Sequence, residues 1–467
     1  MAIKRKWRLK SEGQGLVAID KRLLSLQFDG CWRIMGLALS TFISSILLSR
    51  RLRRVRLGRI ALARKMSGRR AEVLYFHQPD DPYSQLTAQI LTDLQARYDI
   101  NIKVMLVDAP SDDMAPERAA LENYGRRDAA AIAPFHGLEF TDPGQQPSES
   151  SLKLARRTLA ASSNLVKAAA EIGMAFWSDD TDKLDRTAMV SDDQTESVFR
   201  EGTRLRAQLG HYLGATFYFE GEWYWGVDRL PYLEERLASS GLRLSGCRQL
   251  CHFQSRPEFM AGPTNGKRLM VEFYPSARSP YTAIAMAEVL DMPNHYPIDV
   301  KVRPVLPMVM RNLPVPSKKG MYILADTKRE ADRIGVAFGK IADPVGDPVR
   351  RIYSLFEWAD ARGKGGNLLN AFTDLAWAEG VDAGSDAGLQ TVCARAGLDW
   401  AEAAEIVDNN DWEVWAEKNR QQMMKSNLWG VPSFRLLDEN GDEIFSAWGR
   451  DRIWLLAHEI QKALGRN

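Results

Sequence analysis

Two distant stretches of this chain follow one pattern, Ala71–Leu86 (AEVLYFHQPDDPYSQL) and Leu269–Ile284 (LMVEFYPSARSPYTAI). Each opens with a short β-rich run, Val73–Phe76 or Met270–Tyr274, and continues through a loop into an apolar-periodic helix. Asp81 and Ser279 are good N-cap types, and Pro82 and Pro280 suit the first helical turn. The ends repeat as well. Gly214-Ala215-Thr216-Phe217 leads to Trp225-Gly226-Val227-Asp228-Arg229, and Gly430-Val431-Pro432-Ser433-Phe434 leads to Trp448-Gly449-Arg450-Asp451-Arg452. In both places a strand pair runs into a Gly-Xaa-Asp-Arg turn and a closing helix, Leu230–Leu237 or Ile453–Leu464. Shared beginnings and ends in the same order indicate one structural unit used twice. Asp81 to Gly226 spans 145 residues and Ser279 to Gly449 spans 170, so the second unit carries 25 more, some of them near Arg350–Asn370.

The middle of each unit is helical in pattern, as in Ser151–Ile172 and Ala387–Arg420. Strand, helix, long helical insertion, strand pair and final helix describe a thioredoxin fold with an inserted helical domain. The expected class is therefore α/β, with tandem thioredoxin-like domains, each bearing an inserted helical subdomain. The expected boundaries are a basic arm over 1–70, a first domain over 71–245, a linker over 246–268 and a second domain over 269–467. The linker contains the turn-rich stretch Ala261-Gly262-Pro263-Thr264-Asn265-Gly266.

Charge is unevenly placed. Of 62 Lys/Arg and 60 Asp/Glu residues, 18 basic and 3 acidic lie in residues 1–70, a balance of +15; the other 44 and 57 leave the body at −13. Such an arm favours anionic partners. Ile34–Leu48 is an apolar run interrupted by Ser40, Thr41, Ser44 and Ser45, and Arg50, Arg51, Arg53, Arg54 and Arg56 follow it. It is shorter than the roughly 20 residues a spanning helix needs. Three readings stand: a short membrane anchor, an interfacial helix on anionic lipid, or an arm packed on the body with its arginines in water. The expected location is cytoplasmic, with membrane association through residues 31–60. No specific nucleic-acid partner is expected. The four cysteines, Cys31, Cys247, Cys251 and Cys393, form no Cys-x-x-Cys pair and no disulfide framework, and a reducing compartment is the simpler reading. Cys247, Cys251 and His252 lack a partner cluster, so no metal site is expected.

The second unit resembles the 2-hydroxychromene-2-carboxylate isomerase and kappa-class glutathione transferase group, within the DsbA-like branch of thioredoxin folds. The likeness is carried in order by Phe273-Tyr274 with Ser279-Pro280-Tyr281, then Arg303-Pro304-Val305-Leu306. Asn312-Leu313-Pro314 follows with Lys319, Tyr322, Asp326 and Arg329, and Gly430–Phe434 and Gly449–Arg452 close the set. The resemblance implies glutathione as cofactor and a small aromatic or conjugated substrate. Ser279 would donate to the glutathione sulfur, Asn312 and Lys319 would help bind the tripeptide, and Val431 would meet its cysteinyl part beside a cis Pro432. Asp451 and Arg452 would lie near the γ-glutamyl end. The group's tendency to dimerise implies that the two units form an internal pseudo-dimer.

Those residue types suit thiol chemistry. An unperturbed thiol has a pKa near 8.5, and a hydroxyl donor at a helix start favours its charged form. Alternatives remain open: Ser279 as a plain cap, Pro432 as a strand-edge turn, and Asp451 and Arg452 as a cap pair that recurs as Asp228 and Arg229. The first unit has Asp81 in place of Ser and Ala215 in place of Pro, with Tyr124 and Asp128 as remnants of the middle block. That substitution pattern suits a scaffold or binding surface, and the alternative reading of the whole chain is a non-catalytic binding or scaffold module. A thiol-disulfide oxidoreductase would need a cysteine pair that neither helix start carries.

Overall fold

A computed structural model describes residues 39–185, 190–258, 266–313 and 316–465. The turn-rich stretch 261–266 falls almost wholly outside them, as do residues 31–38 of the arm. Two four-stranded sheets organise the body. The first comprises β1 (Ala71–His77), β2 (Ile100–Leu106), β3 (Thr216–Phe219) and β4 (Glu222–Trp225); the second comprises β5 (Leu269–Tyr274), β6 (Ile298–Val302), β7 (Ser433–Leu437) and β8 (Glu443–Trp448). Their orders are β2-β1-β3-β4 and β6-β5-β7-β8. In each, the first two strands run parallel and the remaining pairs are antiparallel. Parallel pairing demands a crossover, and the helices that begin at Pro82 and Pro280 open it.

The helical insertion follows the second strand of each sheet. The helical pattern over 151–172 is realised as two helices, Glu149–Ala161 and Leu165–Trp177, with Asn164 capping the second. Likewise 387–420 is three helices, Asp386–Ala396, Trp400–Ala404 and Trp412–Lys425. Gly397, at φ +70°, ends the first of these and Asp399 caps the next. Closing helices Leu230–Ser239 and Ile453–Ala463 lie where expected.

Val73, Tyr75, Phe217 and Leu233 centre one core, and Val271, Phe273, Phe434 and Leu456 centre the other. The cores are not sealed from each other. Trp454 and Leu455 of the final helix belong to the first core, and Tyr124 of the first insertion packs with Tyr274, Met423 and Leu428.

The arm supplies two helices, residues 39–47 and Arg50–Met66, separated at Ser49, whose hydroxyl caps the second. Arg53 pairs with Glu222, Arg64 with Glu220 at 2.8 Å, and Leu57 is buried, so the second helix lies along the first sheet's edge. Among the described residues no helix is long and apolar enough to cross a membrane.

Candidate functional site

The loop after β5 ends at Ser279, in extended conformation, which caps the four-residue helix Pro280–Ala283. Its Oγ accepts from the Thr282 amide at 3.2 Å. Among the described residues its own proton has a single acceptor, the Val431 carbonyl, at a long 3.5 Å. The Val431–Pro432 peptide is cis, as the resemblance implied. Pro432 is held by its carbonyl, which accepts from Gly449 at 2.8 Å.

Ser279 and Val431 open onto a cavity of about 440 Å³. Its walls are mainly apolar and include seven aromatic side chains: Tyr281, Tyr322, Trp377, Trp429 and Trp448 from the second half, Tyr212 and Trp225 from the first. Ser40 and Ser44 of the arm close one side. Tyr281 is fixed by donating to Asp326 at 2.7 Å, and Trp429 by donating from Nε1 to the Pro116 carbonyl at 2.7 Å. Both side chains thereby turn an apolar face inward.

Lys319, on helix Ser317–Ile334, also lines this cavity and is only 5% exposed. Its ammonium donates to the Met114 carbonyl at 2.8 Å and lies 5.5 Å from the Trp429 ring centre and 5.6 Å from that of Tyr212. No carboxylate pairs with it among the described residues. Burial pulls its pKa down to about 8. A buried cation held by one carbonyl and two ring faces is suited to an anionic ligand group.

The remaining site candidates are elsewhere. Asn312, at φ +60°, follows the turn Met308–Arg311 and is exposed, off the cavity wall. Asp451 and Arg452 take part in ion pairs between the two halves. The Arg452 guanidinium donates to both oxygens of Asp128 at 2.7 Å and to Asp228 at 2.9 and 3.1 Å. Arg229 does the reciprocal thing: it donates to Asp326 at 2.8–3.0 Å and to Asp451 at 2.9 and 3.0 Å. Tyr83 donates to Asp128 as Tyr281 donates to Asp326, each at 2.7 Å. The paired arginines hold Asp451 below the usual carboxylate range. The Asp-Arg recurrence in sequence thus marks this double clamp, and the candidates brought together at the cavity are the cap residue Ser279, Lys319 and Val431.

At the first half's corresponding place the space is filled. Asp81 caps Pro82–Ala88, accepting from the Tyr83 and Ser84 amides and from Ser84 Oγ at 2.8 Å. Ser84 Oγ also accepts from Ala215 N at 2.8 Å. Gly214 packs so closely that a Cβ there would meet Gln78 at 2.6 Å and Asp81 at 3.0 Å. Burial pushes the Asp81 carboxyl up to about 7, against the Ser84 hydrogen bond.

Sequence reasoning missed the aromatic lining from Trp377 and Tyr212 and the two arm serines, because these come from elements far apart in the chain. Trp429, next to Gly430, was the available signal. None of the described cysteines lines the cavity. Cys393 is buried, with its thiol pushed up to about 11, which suits packing rather than attack.

None of the curated proteins matches the chain. Among solved structures it is similar to a 2-hydroxychromene-2-carboxylate isomerase at 20% identity, covering 42% of this chain and 95% of that one, TM-score 0.35. It is also similar to a probable DsbA oxidoreductase of Streptomyces coelicolor (17%; 43% and 91% covered; TM-score 0.34) and to the cytosolic disulfide reductase DsbM of Pseudomonas aeruginosa (18%; 42% and 99%; 0.34). Residues 270–461 match the model of the DSBA-like thioredoxin domain. The C-terminal region is a DsbA-like thioredoxin domain with mixed α/β content.

Proposed function

We propose that the cavity beside Ser279 is a glutathione site of a glutathione-dependent isomerase or transferase, acting on a small aromatic or conjugated substrate. The observation that carries this reading is the Ser279 hydroxyl. Its oxygen accepts from the Thr282 amide, while its proton has only the distant Val431 carbonyl among the described residues, so that proton is available to a sulfur anion on the cavity side. The fit extends beyond one residue. Lys319 offers a buried cation to a ligand carboxylate, and about 440 Å³ lies within the range of small-molecule sites, roughly 300–1,000 Å³.

Glutathione, when bound, would supply a sulfur nucleophile. Ser279 would stabilise its thiolate by a charge-assisted hydrogen bond, lowering the thiol pKa. The helix it caps has four residues, so the hydroxyl rather than a long macrodipole would do most of this. Trp377, Trp429 and Trp448 would exclude water and offer flat faces to a conjugated substrate.

The two halves are, in this proposal, a duplicated unit closed as an internal pseudo-dimer. The identical strand orders and the reciprocal Arg229 and Arg452 clamps support it. The filled space at Asp81 favours a structural role for the first half, which also lends Tyr212 and Trp225 to the cavity.

Calorimetric titration tests the reading. Wild-type protein should bind glutathione, and Ser279→Ala should bind it about tenfold more weakly, as expected for losing one hydrogen bond to a charged group. Absence of binding by the wild type, or equal affinity in the two proteins, would remove the glutathione site and favour a non-catalytic module.

A further inference from the structure

The arm packs the wrong way round for a helix in water. In helix 39–47 the hydroxyl residues face the protein: Thr41 donates to the Ile341 carbonyl at 3.1 Å, Ser44 Oγ accepts from the Ile341 amide at 3.1 Å, and Ser40 and Ser44 line the cavity. Leu39, Phe42, Ile43 and Ile46 recur at helical spacing on the face away from Thr41, and Leu47 stands at its edge; all five are exposed, Phe42 by 61% and Leu47 by 62%. An amphipathic helix in a soluble protein buries its apolar stripe. This one presents it.

The second helix continues the surface. Its inner face is Arg53, Leu57, Ile60 and Arg64, tied to Glu222 and Glu220. Its outer face carries exposed Leu52, Val55, Leu62 and Met66. Arg51, Arg54, Arg56, Arg59 and Lys65 stand on and beside that stripe, exposed, with no ion pair among the described residues. Apolar side chains flanked by unpaired arginines match one kind of surface. The hydrocarbon edge accepts the stripe, and long arginine stems let the guanidinium groups reach anionic headgroups.

From this geometry we infer that residues 39–66 dock the protein on an anionic phospholipid surface, with Leu39, Phe42, Ile43, Leu47 and Leu52 inserted at the headgroup boundary. The chemistry distinguishes lipid from nucleic acid: a phosphate backbone would use the arginines and leave the exposed Phe42 and Leu47 in water. Because Ser40 and Ser44 form a cavity wall on the same helix, docking sets the aromatic cavity one helix thickness from the lipid. A lipophilic ligand would have a short path between the two.

Sedimentation of the full chain with vesicles tests the docking without reference to glutathione. The protein should pellet with phosphatidylglycerol–phosphatidylcholine vesicles and bind phosphatidylcholine alone at least tenfold more weakly. Raising salt should weaken the first interaction. Two outward-facing variants, Phe42→Ser with Leu47→Ser, and Arg51→Ser with Arg54→Ser and Arg59→Ser, should each lose most of the binding while their thermal unfolding stays at the wild-type midpoint. The inference is overturned if neither vesicle binds or if both variants pellet like the wild type. It is equally overturned if duplex DNA binds and vesicles fail to displace it, or if the wild type self-associates through this face and the dimer ignores lipid.

Discussion

Asp81 and Ser279 hold the same place in the two halves, the cap of the helix that follows the first strand, and they do different things with it. Asp81 turns its oxygens onto the Tyr83 and Ser84 donors and is packed against Gly214. Ser279 accepts from one amide of its own helix, and its proton has only the Val431 carbonyl, at 3.5 Å, beside a cavity. A carboxylate can satisfy several donors at once and so closes a site; a hydroxyl with one partner keeps one open. The difference is local, since the sheets around both have the same order and pairing. The shared frame and the divergent cap can therefore be broken separately.

The frame gives the largest effect. Arg452 is 4% exposed and faces Asp128 and Asp228; Arg229 is 3% exposed and faces Asp326 and Asp451. Removing either cation strands buried carboxylates, which typically costs about 3–5 kcal/mol. Arg452→Ala and Arg229→Ala should each lower urea-unfolding stability by that order, and by similar amounts if the clamps are equivalent. A loss below about 1 kcal/mol for one of them would show that the reciprocity is only geometric.

That frame was partly legible in the sequence. The N-cap and Pro pairs, the Gly-Xaa-Asp-Arg turns and the closing helices are local signals, set by cap chemistry and periodicity, and each gave an element at its expected place. The clamp itself was not legible, since Arg452 and Asp128 are 324 residues apart and nothing local links them. The same holds for the cavity. Ser279, Val431 and Lys319 were visible as candidates, but Tyr212, Trp377 and Ser44 reach the wall only through tertiary packing. The apolar run of the arm was visible too; its orientation, hydroxyls inward, depends on the Ile341 backbone and could not be read from periodicity.

The cap difference predicts an intermediate effect that depends on pH. Asp81 has its folded pKa raised to about 7, above its unfolded value of 3.8. The native state then holds a proton that the unfolded chain has released. The stabilisation is fully present below about pH 4 and is lost as pH rises through 7. Asp81→Asn keeps an acceptor for the helix amides and removes the titration. It should be more stable than wild type at pH 8, on the order of 1–3 kcal/mol, with the gain shrinking toward pH 5. A pH-independent difference in denaturant unfolding would mean that Asp81 does not titrate in the fold.

The smallest expected effect separates Lys319 from Ser279 within the open site. S-methylglutathione has no thiol to ionise, so its binding reports the rest of the tripeptide. Lys319 is charged below its folded pKa of about 8 and neutral above it. If its ammonium receives a ligand carboxylate, affinity for S-methylglutathione should fall a few-fold between pH 7 and 9, as the attracting charge is lost. Lys319→Met should bind weakly and without that decline, so the difference between the two pH profiles isolates the lysine from any titration of the ligand itself. The same charge logic acts on the protein alone. A lysine whose folded pKa lies below its unfolded value of 10.5 makes the fold gain stability as pH rises from about 8 toward 10.5, so wild type should gain on Lys319→Met over that range. Ligand affinity falling while this stability term rises is a pair of opposite trends that one desolvated ammonium produces and an exposed lysine does not. Parallel profiles for wild type and Lys319→Met in both measurements would place the cation outside ligand binding and leave Ser279 as the site's one polar contact from the cap.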